Sequence, residues 1–513
     1  MWLDYLLFAL YALSLVAIAF YTRNRAKSVD DFLHAGKRGL GGWMTAFAYG
    51  TTYFSAVIFV GYAGNFGKQY GLASVWIGIG NAVLGSLIAW AVLAKRTKNM
   101  TVRLASRTMP DFFAKRYGSE RLKIASAVII FVLLTPYSAS VYNGLSALFE
   151  RIFEIPGWCV MLALAALTAL YLFFGGYFAT ALSDFIQGIV MLVGVVLMVF
   201  CFLRHDRVSW DLSALVEDVE HTWFTFGSET GGLYGNTVSL LSLIVLTSFG
   251  VWALPQTIHK YYAIRDKAAI NRGMIVSTVF ALVIGFGAYF TGALSGLFPE
   301  VRDIAGDRVV PEMLAIVIPS GLMGIIAILV LSASMSTLSS VSLSSASVVA
   351  VDLYKGSIRK DASDRRVNTV MRVLCLAFIA LSVVLALLNE KFGIAAIAYM
   401  MGISWGTLAG CFIGPYVLGL FWRRVSRAAV WSSIGTSLGL TVVLIPLLGY
   451  DKLGYACTLG EALKAGVGCS PLIGSICMVA SMLVTVAVSL FTRAPEAEIL
   501  ERAFDSPIEN EIK

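Results

Sequence analysis

Between Ser332 and Ser347, ten of sixteen residues carry a side-chain hydroxyl. Within that run Ala333, Ser336, Thr337 and Ser340 recur at i, i+3, i+4 and i+7, one face of a helix. Such a face supports two different uses. Small side chains let a second helix approach closely, which makes a packing seam. The same hydroxyls, with a loosened backbone carbonyl nearby, offer several oxygens at short range, and hard cations take oxygen ligands. Asp184 bears on the choice. It lies inside the apolar stretch 178–203, and no Lys or Arg falls inside any long apolar stretch to neutralise it. An ionised Asp inside a membrane costs about 2.5–3.5 kcal/mol, so Asp184 must be protonated, near the interface or facing a cation.

Two further stretches interrupt their own pattern. Ala48-Tyr-Gly-Thr-Thr-Tyr-Phe-Ser55 is small and hydroxylated where a lipid-facing helix would be leucine-rich. Thr247-Ser-Phe-Gly-Val-Trp-Ala-Leu-Pro-Gln256 brackets apolar residues between Gly250 and Pro255. Glycine and proline loosen the i→i−4 ladder, and freed carbonyls are tolerated in a membrane only beside a cavity or an ion. Each break alone also reads as an ordinary kink.

The elements that position these residues follow from composition. The chain has 513 residues, is 58% hydrophobic and 14% charged, and has a mean hydropathy of +0.79. Soluble domains carry about 25% charged residues, so the pattern is that of an all-α polytopic membrane protein. Thirteen spans are predicted at 2–22, 43–65, 72–94, 124–148, 158–174, 178–203, 236–258, 273–297, 316–352, 373–389, 393–421, 428–449 and 472–492. The net charge of +8 is a topology signal: 30 of 39 basic residues fall in alternate loops and the tail. The positive-inside rule puts the N-terminus outside and the C-terminus in the cytoplasm of a plasma or inner membrane, and argues against nucleic-acid binding. The first span is not read as a signal peptide, since its basic cluster follows the apolar stretch.

The two breaks stand five spans apart. Residues 43–203 and 236–421 thus form two five-helix units, each opening with a broken helix. An odd number of spans forces opposite orientations, the layout of an inverted-repeat secondary transporter with its site at the paired breaks. Residues 1–22 and 428–492 are peripheral helices, and 493–513 a cytoplasmic tail. Cys457 and Cys469, in the last external loop, are candidates for a disulfide. No Walker A or HExxH motif occurs, no nucleophile is paired with a base, and no cofactor is expected. The expected function is therefore non-enzymatic and driven by an ion gradient.

Several ordered motifs now carry a family resemblance. Asp30-Asp-Phe-Leu-His-Ala-Gly-Lys-Arg-Gly-Leu-Gly41 precedes the first break. Gly175-Gly176 is followed by Ala181-Leu-Ser-Asp-Phe-Ile-Gln187. Met335-Ser-Thr-Leu-Ser339 leads to Asp352-Leu-Tyr-Lys355, and Trp405 to Gly414-Pro415 and Phe421-Trp-Arg-Arg424. From about residue 5 to 490 the chain resembles the sodium:solute symporter family, with its bacterial proline, pantothenate, sialic acid and sugar cotransporters. The resemblance implies a LeuT-type fold of five plus five core helices; alternating access is the expected mechanism, and a monomer the expected working unit. It implies a widespread sodium site from the carbonyls of Thr51, Phe54 and Ala333 and the hydroxyls of Ser336 and Thr337. A second sodium site, used by some members, would take Asp184, Ser336, Ser339 and Ser340, giving two sodium ions per substrate.

The substrate pocket is expected at Tyr53, Ser55, Tyr137, Asn143, Trp252, Gln256, Tyr399 and Trp405. Ser55 and Thr135-Pro-Tyr-Ser-Ala-Ser140 resemble proline transporters, whereas Tyr53 replaces the aspartate those carry. Sialic acid transporters place an arginine where this chain has Ser138. A small polar organic solute, with an amino acid such as proline favoured, is the expected cargo. An organic acid or sugar is the alternative, and a proton-coupled carrier or a transporter-like sensor the rival class.

Overall fold

The computed structural model describes residues 2–23, 28–34, 41–216, 236–319 and 321–507. Residues 35–40 of the first motif, and His221, lie outside them. The regular elements among the described residues are helical, as expected where every backbone polar group must be satisfied without water. Eleven helical stretches are long and apolar enough to cross a membrane. They include α1 (Trp2–Thr22), Val57–Arg103, α4 (Glu120–Phe153), α5 (Gly157–Arg204), α8 (Lys267–Ala293 within Lys267–Leu297), α9 (Met323–Ser347 within Met323–Ile358), α10 (Asp364–Phe392), α11 (Ile397–Ile413 within Ile397–Phe421), α12 (Arg427–Leu453) and α14 (Ser470–Phe491).

Two stretches are double length. At 1.5 Å per residue, the 48 residues of α5 would extend about 72 Å, more than twice a bilayer core. α5 breaks at Gly176, whose φ of 55° and ψ of −150° are open only to glycine. A Cβ there would also meet the Phe32 ring at 2.7 Å. Val57–Arg103, hereafter α3, is interrupted at Gly71–Ser74, with Gly71 at φ 54°. Each of these two stretches is long enough to hold two crossings, one on either side of its break.

Both predicted breaks are present. α2 (Gly42–Tyr53) ends at Phe54 in extended conformation, and the helix resumes at Val57. α6 (Asn236–Gly250) stops short of α7 (Pro255–Tyr262), which starts on its proline, where the missing N–H costs nothing. Several boundaries shift: α10 starts at Asp364 rather than 373, and α7 runs on to Tyr262 rather than 258. The span predicted at 316–352 begins at Met323, because Gly306–Val317 forms a separate helix ending before Pro319.

α9 is the centre of the molecule, with 94% of its apolar window buried, against 28% for α1 and 33% for α12. Its composition dictates this place. Hydroxyls are costly against lipid, and many fold back on their own helix, as Ser334 donates to the Val330 carbonyl at 2.7 Å. Asp4, buried in α1, accepts from the Gly324 amide at 2.9 Å and so tethers the open start of α9.

All seven cysteines are free, Cys457 and Cys469 included, which corrects the disulfide expectation. The helix α13 (Leu459–Val467) stands between them. Thiol titration of the denatured, unreduced protein is expected to count seven, and a count of five would restore the bond.

Candidate functional site

The first set of predicted cation ligands converges. The last four carbonyls of a helix lack an intrahelical donor, so Thr51 in the final turn of α2 and Phe54 in the break can present theirs to α9. Ser336 Oγ donates to the Thr51 carbonyl at 2.9 Å and to the Ala333 carbonyl at 3.0 Å. Thr337 Oγ1 lies 3.1 Å from the Ala333 carbonyl and 3.4 Å from that of Phe54. All five residues are fully buried. Three carbonyls and two hydroxyls thus face one another across the seam between a broken helix and α9, a donor set that suits a hard monovalent cation.

The second set is arranged differently. Asp184 is fully buried in α5, but it is not without a cationic neighbour. Lys260 Nζ lies 3.4 Å from Asp184 Oδ2 and donates to Ser340 Oγ at 3.0 Å. The expectation that no basic residue neutralises Asp184 is therefore wrong. Lys260 follows the predicted end of its span by two residues and was counted with the loop charges, yet α7 carries it into the interior, where it is 1% exposed. Of the other members, Ser339 turns its hydroxyl back to the Ser336 carbonyl at 2.9 Å. Ser336 is engaged in the first cluster. Ser340 also meets Thr52 Oγ1 at 3.0 Å, which joins the ion pair to α2.

Three of the pocket candidates form one aromatic group. The Trp405 ring lies 5.4 Å from Tyr137 and 6.3 Å from Tyr53, and all three residues are buried. The Tyr137 hydroxyl lies beside Ser55 and Thr337 without an aligned bond to either. It thereby touches both the pocket and a member of the five-oxygen cluster. The Trp405 indole N–H and the Gln256 amide oxygen are buried and unbonded, polar groups that a solute could satisfy. Tyr53 donates to the Thr247 carbonyl at 2.7 Å, tying one broken helix to the other.

The remaining candidates make other contacts than this aromatic group. Asn143 donates to the Ala386 carbonyl at 2.9 Å and lines a separate cavity of about 580 Å³ with Glu150, Asp307 and Asn389. Trp252 gives its N–H to the Leu84 carbonyl at 3.0 Å. Tyr399 packs edge-on against Phe66 rather than against the Trp405 group.

A helical membrane protein with two broken helices around buried oxygens is a secondary carrier in architecture, and the comparisons agree. The family model for the sodium:solute symporter family matches residues 32–435, and the chain belongs to that family. It is 27% identical over 499 residues to the osmoregulated proline transporter OpuE of Bacillus subtilis, covering 95% of this chain and 94% of that one. It is 27% identical over 459 residues to the sodium/proline symporter of Haemophilus influenzae, covering 87% and 88%. A Na+-coupled sialic acid symporter, solved outward-open with substrate bound, superimposes with a TM-score of 0.71 at 15% identity, covering 96% and 99%. That likeness establishes the LeuT-type fold.

Proposed function

We propose that the chain moves a small polar organic solute, L-proline in first place, into the cell together with sodium. The observation that carries this reading is the five-oxygen cluster of Thr51, Phe54, Ala333, Ser336 and Thr337. A cation there satisfies carbonyls freed by the break in α2, and so fixes the broken helix against α9. Tyr137, between Ser55 and Thr337, transmits that fixation to the pocket, where Trp405 and Gln256 hold the solute. Similarity to proline transporters supports the choice of solute. The pocket has no fixed cation among Tyr53, Ser55, Tyr137, Gln256 and Trp405, which favours a zwitterion over an organic acid.

The inverted units at 43–203 and 236–421 rock about this site, with the N-terminus outside and the C-terminus inside. One chain supplies every residue of the cluster, so a monomer suffices. Purified protein in liposomes is expected to accumulate labelled L-proline under an inward sodium gradient and not under a proton gradient alone. Uptake driven equally by protons would replace this reading with a proton-coupled carrier.

A further inference from the structure

We propose that Lys260 is a tethered cation standing in the second cation position, so that the transporter carries one sodium ion per cycle. The inference rests on reading the five-oxygen cluster as the sodium site. The position was expected to form around Asp184 and the hydroxyls of α9, and the ammonium already fills it. A lysine has three donors and no acceptor. One faces Asp184 Oδ2 at 3.4 Å and one Ser340 Oγ at 3.0 Å. The ammonium also lies 5.1 Å from the centre of the Tyr177 ring, within cation–π range.

These are the partners a bound metal cation would take: a carboxylate, a hydroxyl and a π-face. Both members of the pair are sealed from solvent, at 1% and 0% exposed. A sodium ion could not share the site, because two like charges a few ångströms apart in a medium of low permittivity repel strongly. Asp184 Oδ1 has no bond, so the carboxylate keeps an open position for a replacement ion.

The network explains why a cation is needed even where none is transported. Asp184 belongs to α5, Lys260 to α7, Ser340 to α9 and Thr52 to α2. The chain Asp184–Lys260–Ser340–Thr52 therefore joins both broken helices to the two helices they must rock against. Thr52 neighbours Thr51, whose carbonyl belongs to the sodium cluster. The lysine holds this junction without consuming an ion.

Counting radiolabelled sodium bound to the purified full-length protein tests the assignment without any solute. Wild type is expected to bind one ion per chain, held roughly ten- to a hundredfold more weakly in Ser336→Ala. Lys260→Ala and Lys260→Gln each uncover Asp184 and are expected to bind two, the added ion vanishing when Asp184→Asn is combined with either. Two ions on wild type would overturn the proposal, and that count stands even if the variants fail to fold. So would the absence of a second ion in folded Lys260 variants. Loss of the Ser336-dependent ion from wild type would instead refute the sodium cluster, while the gain on removing Lys260 would still decide the role of the lysine.

Discussion

Ser336→Ala is expected to raise the sodium concentration for half-maximal uptake by roughly ten- to a hundredfold. The Ser336 hydroxyl reaches two carbonyls of the cluster, Thr51 at 2.9 Å and Ala333 at 3.0 Å. Its removal deletes one of five oxygens from a cluster whose members are all buried from solvent. Hydrogen-bond-scale contacts to a charge are worth about 1.5–3 kcal/mol, and each 1.4 kcal/mol is tenfold in affinity. By linkage, the variant's affinity for solute should become correspondingly more dependent on sodium. Ser347→Ala is the control, because that hydroxyl only folds back on the Ser344 carbonyl of its own helix. Proteoliposome uptake measured against sodium concentration decides the matter. An unchanged sodium response in Ser336→Ala would remove the cluster from the mechanism.

The periodicity of α9 is legible in the sequence because four residues on one face need only helical spacing to converge. The breaks are legible too, since Gly250 and Pro255 announce one and the hydroxyl-rich Ala48–Ser55 stretch the other. Partner helices are not. Nothing in residues 332–347 distinguishes a packing seam from an ion site until the carbonyls of Thr51 and Phe54 are seen against them. Part of the spread among the pocket candidates is nevertheless readable from spacing. Asn143 stands six residues from Tyr137, and Tyr399 six from Trp405. At about 100° and 1.5 Å per residue, the members of each pair stand about 120° apart around their helix and about 9 Å apart along it, on different faces. Lys260 escaped for a different reason. Hydropathy ends a span where polar residues begin, yet a half-helix restarted at Pro255 still lies within the protein for two turns. A buried Asp184 without a partner was itself the signal to search beyond that boundary.

Asp184→Asn is expected to cost more stability than the loss of one carboxylate suggests, and a second substitution should return most of it. The Asp184 and Lys260 side chains are both inaccessible to water. Removing one member of such a pair strands the other charge in the interior, which typically costs about 3–5 kcal/mol. Replacing both removes the stranded charge as well. The double variant Asp184→Asn/Lys260→Met keeps similar volume and should melt well above either single variant in the same detergent. Sodium adds a second discriminating axis. Lys260→Met leaves Asp184 able to recruit an ion, so its melting temperature should climb with sodium more steeply than that of wild type. Asp184→Asn leaves an uncompensated ammonium that sodium cannot relieve, so its deficit should persist at any sodium concentration. Equal, additive losses in the double variant would mean that the two groups do not interact. Transport should follow the same asymmetry. A pair that serves only to neutralise charge would be dispensable in the double variant. A junction between α5, α7 and α9 is not, so the double variant is expected to be stable yet slow to transport, separating the pair's contribution to folding from its part in rocking.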